Sequence, residues 1–240
     1  MTSTAFGGAR TALPTTSRVG VFSDVDETLI RVKSMFRFLE FYLERRGEPA
    51  ATYRRLIAGL RSSAQRGASR SEINRGYYRL LGGEDARRLS EAGHAWFIAE
   101  RDESPDGLYV PEVADALAGH RRRGHELVLV SGSFFACLDP IASDAGAGRV
   151  LATRPVIRRG ELTGEVLAPM IGPAKGRAVR LSGLLGGFDL ARSSAYGDHG
   201  SDLEMLQQVG RPVVVGDHPE LLAHARRAGW SRLTTGAARR

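Results

Sequence analysis

Two rhythms of apolar residues divide the chain. The first is short and extended: Val19, Val21 and Phe22 form a β-prone run that leads into Ser23-Asp24-Val25-Asp26-Glu27-Thr28-Leu29. Side chains two apart in an extended segment share a face, so Asp24 and Asp26 are predicted to point the same way at a strand end. Beyond them the spacing turns helical. Met35–Arg46 carries Phe36, Leu39 and Leu43 along one side, with Ser34 placed as a cap and Gly47 just past the end. Further helical patterns cover Ala51–Arg66, Ser71–Leu81 and Glu84–Glu103, separated by Gly47-Glu48-Pro49 and Gly82-Gly83 and closed by Ser104-Pro105-Asp106-Gly107.

From Pro111 onward strands and helices alternate. A helix over Pro111–Arg123 precedes a strand over Glu126–Val130 that ends in Ser131-Gly132-Ser133. A helix over Phe134–Ala145, a strand over Arg149–Ala152 and a hairpin of Pro155–Ile157 with Glu161–Leu167 follow. The pattern closes with helices over Ala174–Leu185, Asp202–Val209 and Pro219–Ala228, and strands over Ser194–Tyr196 and Pro212–Val215. Such alternation predicts an α/β fold, a Rossmann-like doubly wound and mostly parallel sheet with helices on both faces. The expected division is a disordered tail over 1–18, an α/β core over 19–30 and 109–230, an inserted all-helical cap over 31–108, and a basic C-terminal tail over 231–240. Hinges are expected near Ile30–Arg31 and Pro105–Tyr109.

Composition narrows the class. With 25% charged and 42% hydrophobic residues the chain reads as globular, and it lacks the run of about 18 apolar residues that a transmembrane helix needs. The first residues have no apolar stretch of the kind a secretion signal carries, so the cytoplasm is the expected compartment. A single cysteine, Cys137, excludes an intramolecular disulfide and a cysteine-based zinc site, and it reads as a buried small hydrophobe. The net charge is +7, written almost wholly in arginine: Lys33 and Lys175 are the only lysines. Seven arginines lie between Arg54 and Arg79 against one acid, Glu72. No aromatic-plus-basic signature accompanies this run, so a solvated helix face is favoured over nucleic-acid binding. Steering of an anionic ligand is the other use of such a surface.

Ligands of open α/β sheets bind at the carboxyl ends of strands, and four polar clusters fall there. These are Asp24 with Asp26, then Ser131, then Lys175 at a helix start after Pro173, then Gly197-Asp198-His199-Gly200-Ser201-Asp202. A carboxylate pair, a hydroxyl, an ammonium and a second carboxylate pair suit metal-assisted phosphoryl transfer. Hard oxygen donors without a His/Cys cluster favour Mg²⁺ over zinc. His94, His120, His125, His218 and His224 have no metal-ligand spacing.

The four clusters, in this order, resemble the haloacid dehalogenase superfamily of phosphatases, and within it the phosphoserine-phosphatase-like branch with a helical cap after the first strand. The resemblance spans roughly Val19 to Ala228. It implies that Asp24 is the nucleophile, forming an aspartyl-phosphate, and that Asp26 is the general acid and base. Thr28 would orient that acid, and Ser131 with the Gly132 amide would bind phosphoryl oxygens. Lys175 would neutralise charge on the nucleophile and phosphoryl group. Mg²⁺ would lie on Asp24, the Asp26 carbonyl and Asp198, while Asp202 would orient Lys175 or a metal-bound water. His199 is expected beside the site or facing solvent. An acid at Asp26 favours ester hydrolysis over dehalogenation, because an alkoxide needs a proton and a halide does not.

In phosphoserine phosphatases an acidic residue nine positions after the nucleophile meets the substrate's ammonium. Lys33 stands there in this chain, which argues against phosphoserine. It points to a small phosphorylated metabolite with an anionic or polyhydroxylated leaving group, unless Lys33 is merely solvated. Phosphotransfer to another acceptor and a catalytically retired binding domain are the alternatives of the same fold.

Overall fold

The structure, a computed structural model, describes residues 17–236. In chain order, β1 (Gly20–Ser23) is followed by α1 (Ser34–Arg45), α2 (Ala50–Gln65), α3 (Arg70–Leu80) and α4 (Ala86–Glu103). Then come α5 (Pro111–Arg122), β2 (Glu126–Ser131), α6 (Phe135–Ala145), β3 (Arg149–Ala152) and the pair β4 (Pro155–Arg158) and β5 (Glu161–Val166). The remainder is α7 (Pro173–Gly186), β6 (Ser194–Gly197), α8 (Leu203–Leu206), β7 (Arg211–Val215), α9 (Pro219–Ala228) and β8 (Ser231–Leu233).

Six strands form one parallel sheet in the order β3-β2-β1-β6-β7-β8. Alternate residues of each strand supply opposite faces. Val21, Leu127 and Leu129 join a core with Val113, Leu117 and Leu138 of α5 and α6. Phe22, Val128 and Val130 join a second core with Val179 of α7 and Leu221 and Ala225 of α9. Burial on both faces explains why these strands are continuous apolar runs. The order reverses around β1, which lies between β2 and β6, so the topological switch falls at the carboxyl end of β1.

The helices α1–α4 are joined to the sheet by more than their connections. Phe134, which opens α6, inserts its ring among Phe38, Tyr77 and Tyr78, with centroids 5.7, 6.4 and 5.5 Å away. The helix α4 lies so close to α6 that a methyl group on Gly93 would stand 1.8 Å from the Ala136 carbonyl oxygen. The antiparallel hairpin β4–β5 packs beside α3, and its Leu162 exchanges backbone hydrogen bonds with Gly83 and Glu84. The expected hinge segments pair with each other: Arg31 N–H donates to Leu108 and Val110 N–H to Leu29.

Several expectations are corrected. Ser34 does not cap α1; the preceding Lys33 holds the cap position without a side-chain bond, and the Ser34 hydroxyl is buried against Ser133 Oγ at 2.9 Å. The helix expected over Asp202–Val209 is a 3-10 turn followed by the short α8, because Asp202 folds back to the His199 amide. Ser231–Leu233, expected within a basic tail, pairs with β7 as the last strand. Arg18, expected in the N-terminal tail, bridges to Phe188, while residues 1–16 and 237–240 lie outside the described span. No helix among the described residues is long and apolar enough to cross a membrane.

The Gly93–Ala136 contact gives a direct test of how firmly α4 is seated. Gly93→Ala is expected to lower unfolding free energy by about 3 kcal/mol, since neither backbone can yield without repacking. Urea denaturation reads this, and a loss under about 0.5 kcal/mol, the size of an ordinary surface change, would contradict the packing.

Candidate active site

Three neighbouring strands end on the same edge, and their next residues converge. Asp24 follows β1, Ser131 closes β2, and Asp198 follows β6. The Asp24 amide still donates to the Tyr196 carbonyl at 3.0 Å, so its side chain starts from a fixed backbone. Immediately afterwards the chain reverses: the amides of Thr28, Leu29 and Ile30 all donate to the Val25 carbonyl, and Glu27 adopts φ 62°. A left-handed φ at a non-glycine residue is uncommon, and here it belongs to the turn between Asp26 and Thr28.

Lys175 reaches the same point from the first turn of α7. Its ammonium donates to Asp24 Oδ1 and to Asp202 Oδ1, each at 2.6 Å, and all three residues are buried. The approach depends on Gly176, where a methyl group would meet the Glu204 carbonyl oxygen at 2.7 Å. Asp202 Oδ2 accepts from the His199 amide at 3.1 Å, so both its oxygens are engaged. By contrast, no hydrogen bond among the described residues engages Asp24 Oδ2 or Asp198 Oδ2.

Burial and acid crowding set the protonation chemistry. Burial, opposed by Lys175 and aided by Asp202 and Asp198, raises the Asp24 carboxyl to about 7. Burial and then Asp24 raise Asp26 to about 7, against hydrogen bonds from Ser34. Burial and Asp202 raise Asp198 to about 6, against the Thr28 hydroxyl. Burial alone would lower the pKa of Lys175, but Asp202 and Asp24 more than reverse this and hold the ammonium charged. Asp26 Oδ1 is buried with no hydrogen-bond partner among the described residues. Asp24, Asp198 and Asp202 each offer a carboxylate oxygen within 4.8 Å of the others, the arrangement a divalent cation would hold in charged form.

A cavity of about 300 Å³ opens over these groups. It is lined by Asp24, Asp26, Ser131, Gly132, Lys175 and Asp198 from the sheet side, as the sequence predicts. Lys33 and His199 also line it. Lys33 is half exposed, its Nζ 3.3 Å from Glu27 Oε2. His199 Nδ1 accepts from the Ser201 amide at 3.0 Å. Thr28 departs from expectation. Its hydroxyl is wholly buried and donates to Asp198 Oδ1 at 2.7 Å, so it orients that acid rather than Asp26 and does not reach the cavity. The reversal at Glu27 turns it away from its neighbour.

One face of α3 supplies residues that the sequence reasoning missed. Arg70, Ile73, Asn74 and Tyr77 line the cavity at i, i+3, i+4 and i+7. The Gly132 carbonyl accepts from Asn74 Nδ2 at 2.9 Å and from the Tyr78 hydroxyl at 3.1 Å. A polar residue among apolar ones on a helix stripe was the available signal, since a buried amide needs a partner.

Comparison with known proteins agrees with this geometry. A family model described as haloacid dehalogenase-like hydrolase matches residues 21–207. A protein of Streptomyces azureus named for inhibition of morphological differentiation is 32% identical over 222 residues, covering 89% of this chain and 77% of that one. A probable phosphatase of Mycobacterium tuberculosis is 29% identical over 231 residues, covering 91% and 76%. Among solved structures, a Bordetella pertussis protein of unknown function superposes with a TM-score of 0.77 at 27% identity, covering 91% of this chain and 99% of that one. A substrate-bound phosphoserine phosphatase shares the fold with a TM-score of 0.63 at 17% identity, covering 86% and 90%.

The buried ion triad makes a pH-dependent prediction. Replacing Lys175 by Met strands two buried carboxylates and is expected to cost about 3 kcal/mol of stability near neutral pH. Asp24, already raised to about 7 beside the ammonium, moves higher without it. The folded variant then holds a proton that the unfolded chain releases above about pH 4, so its stability falls as pH rises. Denaturation at pH 5 and pH 8 should show the larger penalty at pH 8; equal penalties would contradict the coupling.

Proposed function

The chain belongs to the haloacid dehalogenase-like hydrolase family, and on that premise we propose that it is a phosphatase hydrolysing a small phosphomonoester through an aspartyl-phosphate on Asp24. The observation that carries the reading is the division of labour around that carboxylate. Lys175 holds Oδ1 at 2.6 Å, while Oδ2 has no partner among the described residues and Asp24 lines the cavity.

Asp24 Oδ2 attacks phosphorus in line as the bond to the leaving alcohol breaks. Asp26, with a carboxyl raised to about 7, carries the proton the departing alkoxide takes. As a carboxylate it then accepts a proton from the water that attacks phosphorus and frees Asp24. Ser131 and the Gly132 amide bind phosphoryl oxygens, and the grip of Asn74 and Tyr78 on the Gly132 carbonyl fixes that peptide. Lys175 draws Asp24 toward its charged form against burial and offsets the added negative charge.

The carboxylate oxygens of Asp24 and Asp198 suit Mg²⁺, with Asp202 occupied by Lys175 and the His199 amide, and the resemblance adds the Asp26 carbonyl as a further donor. When bound, the ion supplies positive charge beside the phosphoryl oxygens.

Two cations and one acid face the leaving-group side of the cavity, with Glu27 paired to Lys33 at 3.3 Å. Lys33 and Arg70 line it, and Arg70 makes no ion pair among the described residues. A substrate ammonium beside Arg70 and Lys33 would be repelled, with Glu27 offsetting part of the Lys33 charge, which supports a leaving group without an ammonium over phosphoserine.

Phosphate release from p-nitrophenyl phosphate with Mg²⁺ tests the reaction. Turnover should vanish with EDTA and fall by roughly a thousandfold or more in Asp24→Asn; full activity in that variant would overturn the nucleophile. For the substrate, O-phospho-3-hydroxypropionate should exceed its amino analogue phosphoserine about tenfold in kcat/KM, with Lys33→Glu reversing the order. Equal values in both proteins would remove Lys33 from substrate choice.

A further inference from the structure

Beside the site cavity lies a second one that the proposed reaction does not use. It measures about 510 Å³ and lies among α1, α2 and α3. Lys33, Phe36, Ala64 and Ile73 line both cavities, so the second continues the first on its leaving-group side. Ile57 and Leu60, both buried, and the half-buried Tyr53 give it apolar walls. Phe36, edge-on to Tyr77 at 6.1 Å between centroids, stands where the two volumes join.

The rim of this groove is cationic. Arg61 lines it and, like Arg70 of the neighbouring cavity, has no carboxylate within ion-pair distance among the described residues. Glu72, the one acid of the arginine-rich stretch, is committed to the Ser69 capping box. A chain of methylenes would cover apolar walls, while the positive rim draws its phosphate toward the catalytic groups.

Resting on the phosphatase reading above, we propose that the substrate is an amphiphilic phosphomonoester, its phosphate over Asp24 and a single alkyl or acyl chain in the groove between α1, α2 and α3. Hydrolysis breaks the phosphorus–oxygen bond, water supplies the new oxygen, and the products are inorganic phosphate and the long-chain alcohol, which keeps the proton delivered by Asp26.

The test is a series of monoalkyl phosphates from butyl to decyl, each below its micelle concentration, with Mg²⁺ and with p-nitrophenyl phosphate as reference. In the wild-type protein kcat/KM should rise roughly threefold per added methylene until the groove is full. Tyr53→Glu places a charge in the groove at a half-buried position, and Leu60→Gln places an uncharged polar amide at its floor. Normalised to each variant's own reference rate, the rise with chain length should flatten in both. A flat series in wild type, with butyl and p-nitrophenyl phosphate both hydrolysed, would overturn the amphiphile while leaving the phosphatase standing. An undiminished rise in Tyr53→Glu and Leu60→Gln would place the chain elsewhere and overturn the groove. Failure to hydrolyse any ester, the reference included, would overturn the phosphatase reading itself and the amphiphile with it.

Discussion

An ammonium buried between two carboxylates governs this structure. Lys175, Asp24 and Asp202 lie where water cannot solvate them, and the attraction among them offsets desolvation only while all three keep their geometry. Much of the surrounding chain can be understood as holding that geometry. The strand β1 must lie between β2 and β6, α7 must approach α8 at Gly176, and Asp202 must fold back on the His199 amide. Even so, the charges do not balance. Asp26 and Asp198 add two more buried or half-buried acids, whose pKa values burial raises first and the neighbouring carboxylates raise further. A site with more carboxylates than cations can relax only by holding protons or accepting a positive ion. Proton transfer and cation binding thus share one electrostatic origin.

How much of this was legible in the sequence depended on whether the signal was local. The apolar runs and helical spacings marked the alternation of strands and helices, and the rule that ligands meet strand carboxyl ends brought Asp24, Ser131 and Asp198 together before any coordinates. Lys175 stood out because the chain writes nearly every other cation as arginine. Thr28 was assigned to Asp26 by the family resemblance, but its hydroxyl is taken by Asp198, 170 residues further along the chain. Ser34 looked like a cap by position, but its hydroxyl is drawn to Ser133, ninety-nine residues away along the chain. The last strand, Ser231–Leu233, has a single leucine and two polar residues, and only the edge of β7 turns it into a strand. These misses share a cause, since each side chain or segment is decided by a partner distant in sequence.

The same distance effect explains why the helical side of the cavity was hardest to read. Asn74 and Tyr78 matter through the Gly132 carbonyl, and Phe134 matters by standing among helices that precede it by up to a hundred residues. These contacts join the loop after β2 to α3, so the group that would grip phosphate and the helix that would face the leaving group are one mechanical unit. A shift of α3 would move the Gly132 peptide. Substrate recognition on α3 can therefore influence the phosphoryl site without any direct contact to Asp24.

That coupling bears on how a phosphate dianion enters a cavity already rich in acids. Lys175 is committed to two carboxylates, so a dianion seated there meets net negative protein charge unless other cations share the load. A divalent ion relieves part of it. The remainder can come from binding energy realised away from the reacting atoms, where apolar burial is insensitive to charge. On the proposed reading, the groove walled by Ile57, Leu60 and Tyr53 would offer such energy, and Arg61 and Arg70 would orient the anion as it arrives. On this view the arginine-rich helices and the crowded aspartates are complementary. The aspartates make the site reactive and hostile to anions, and the helices above supply the attraction that brings one in.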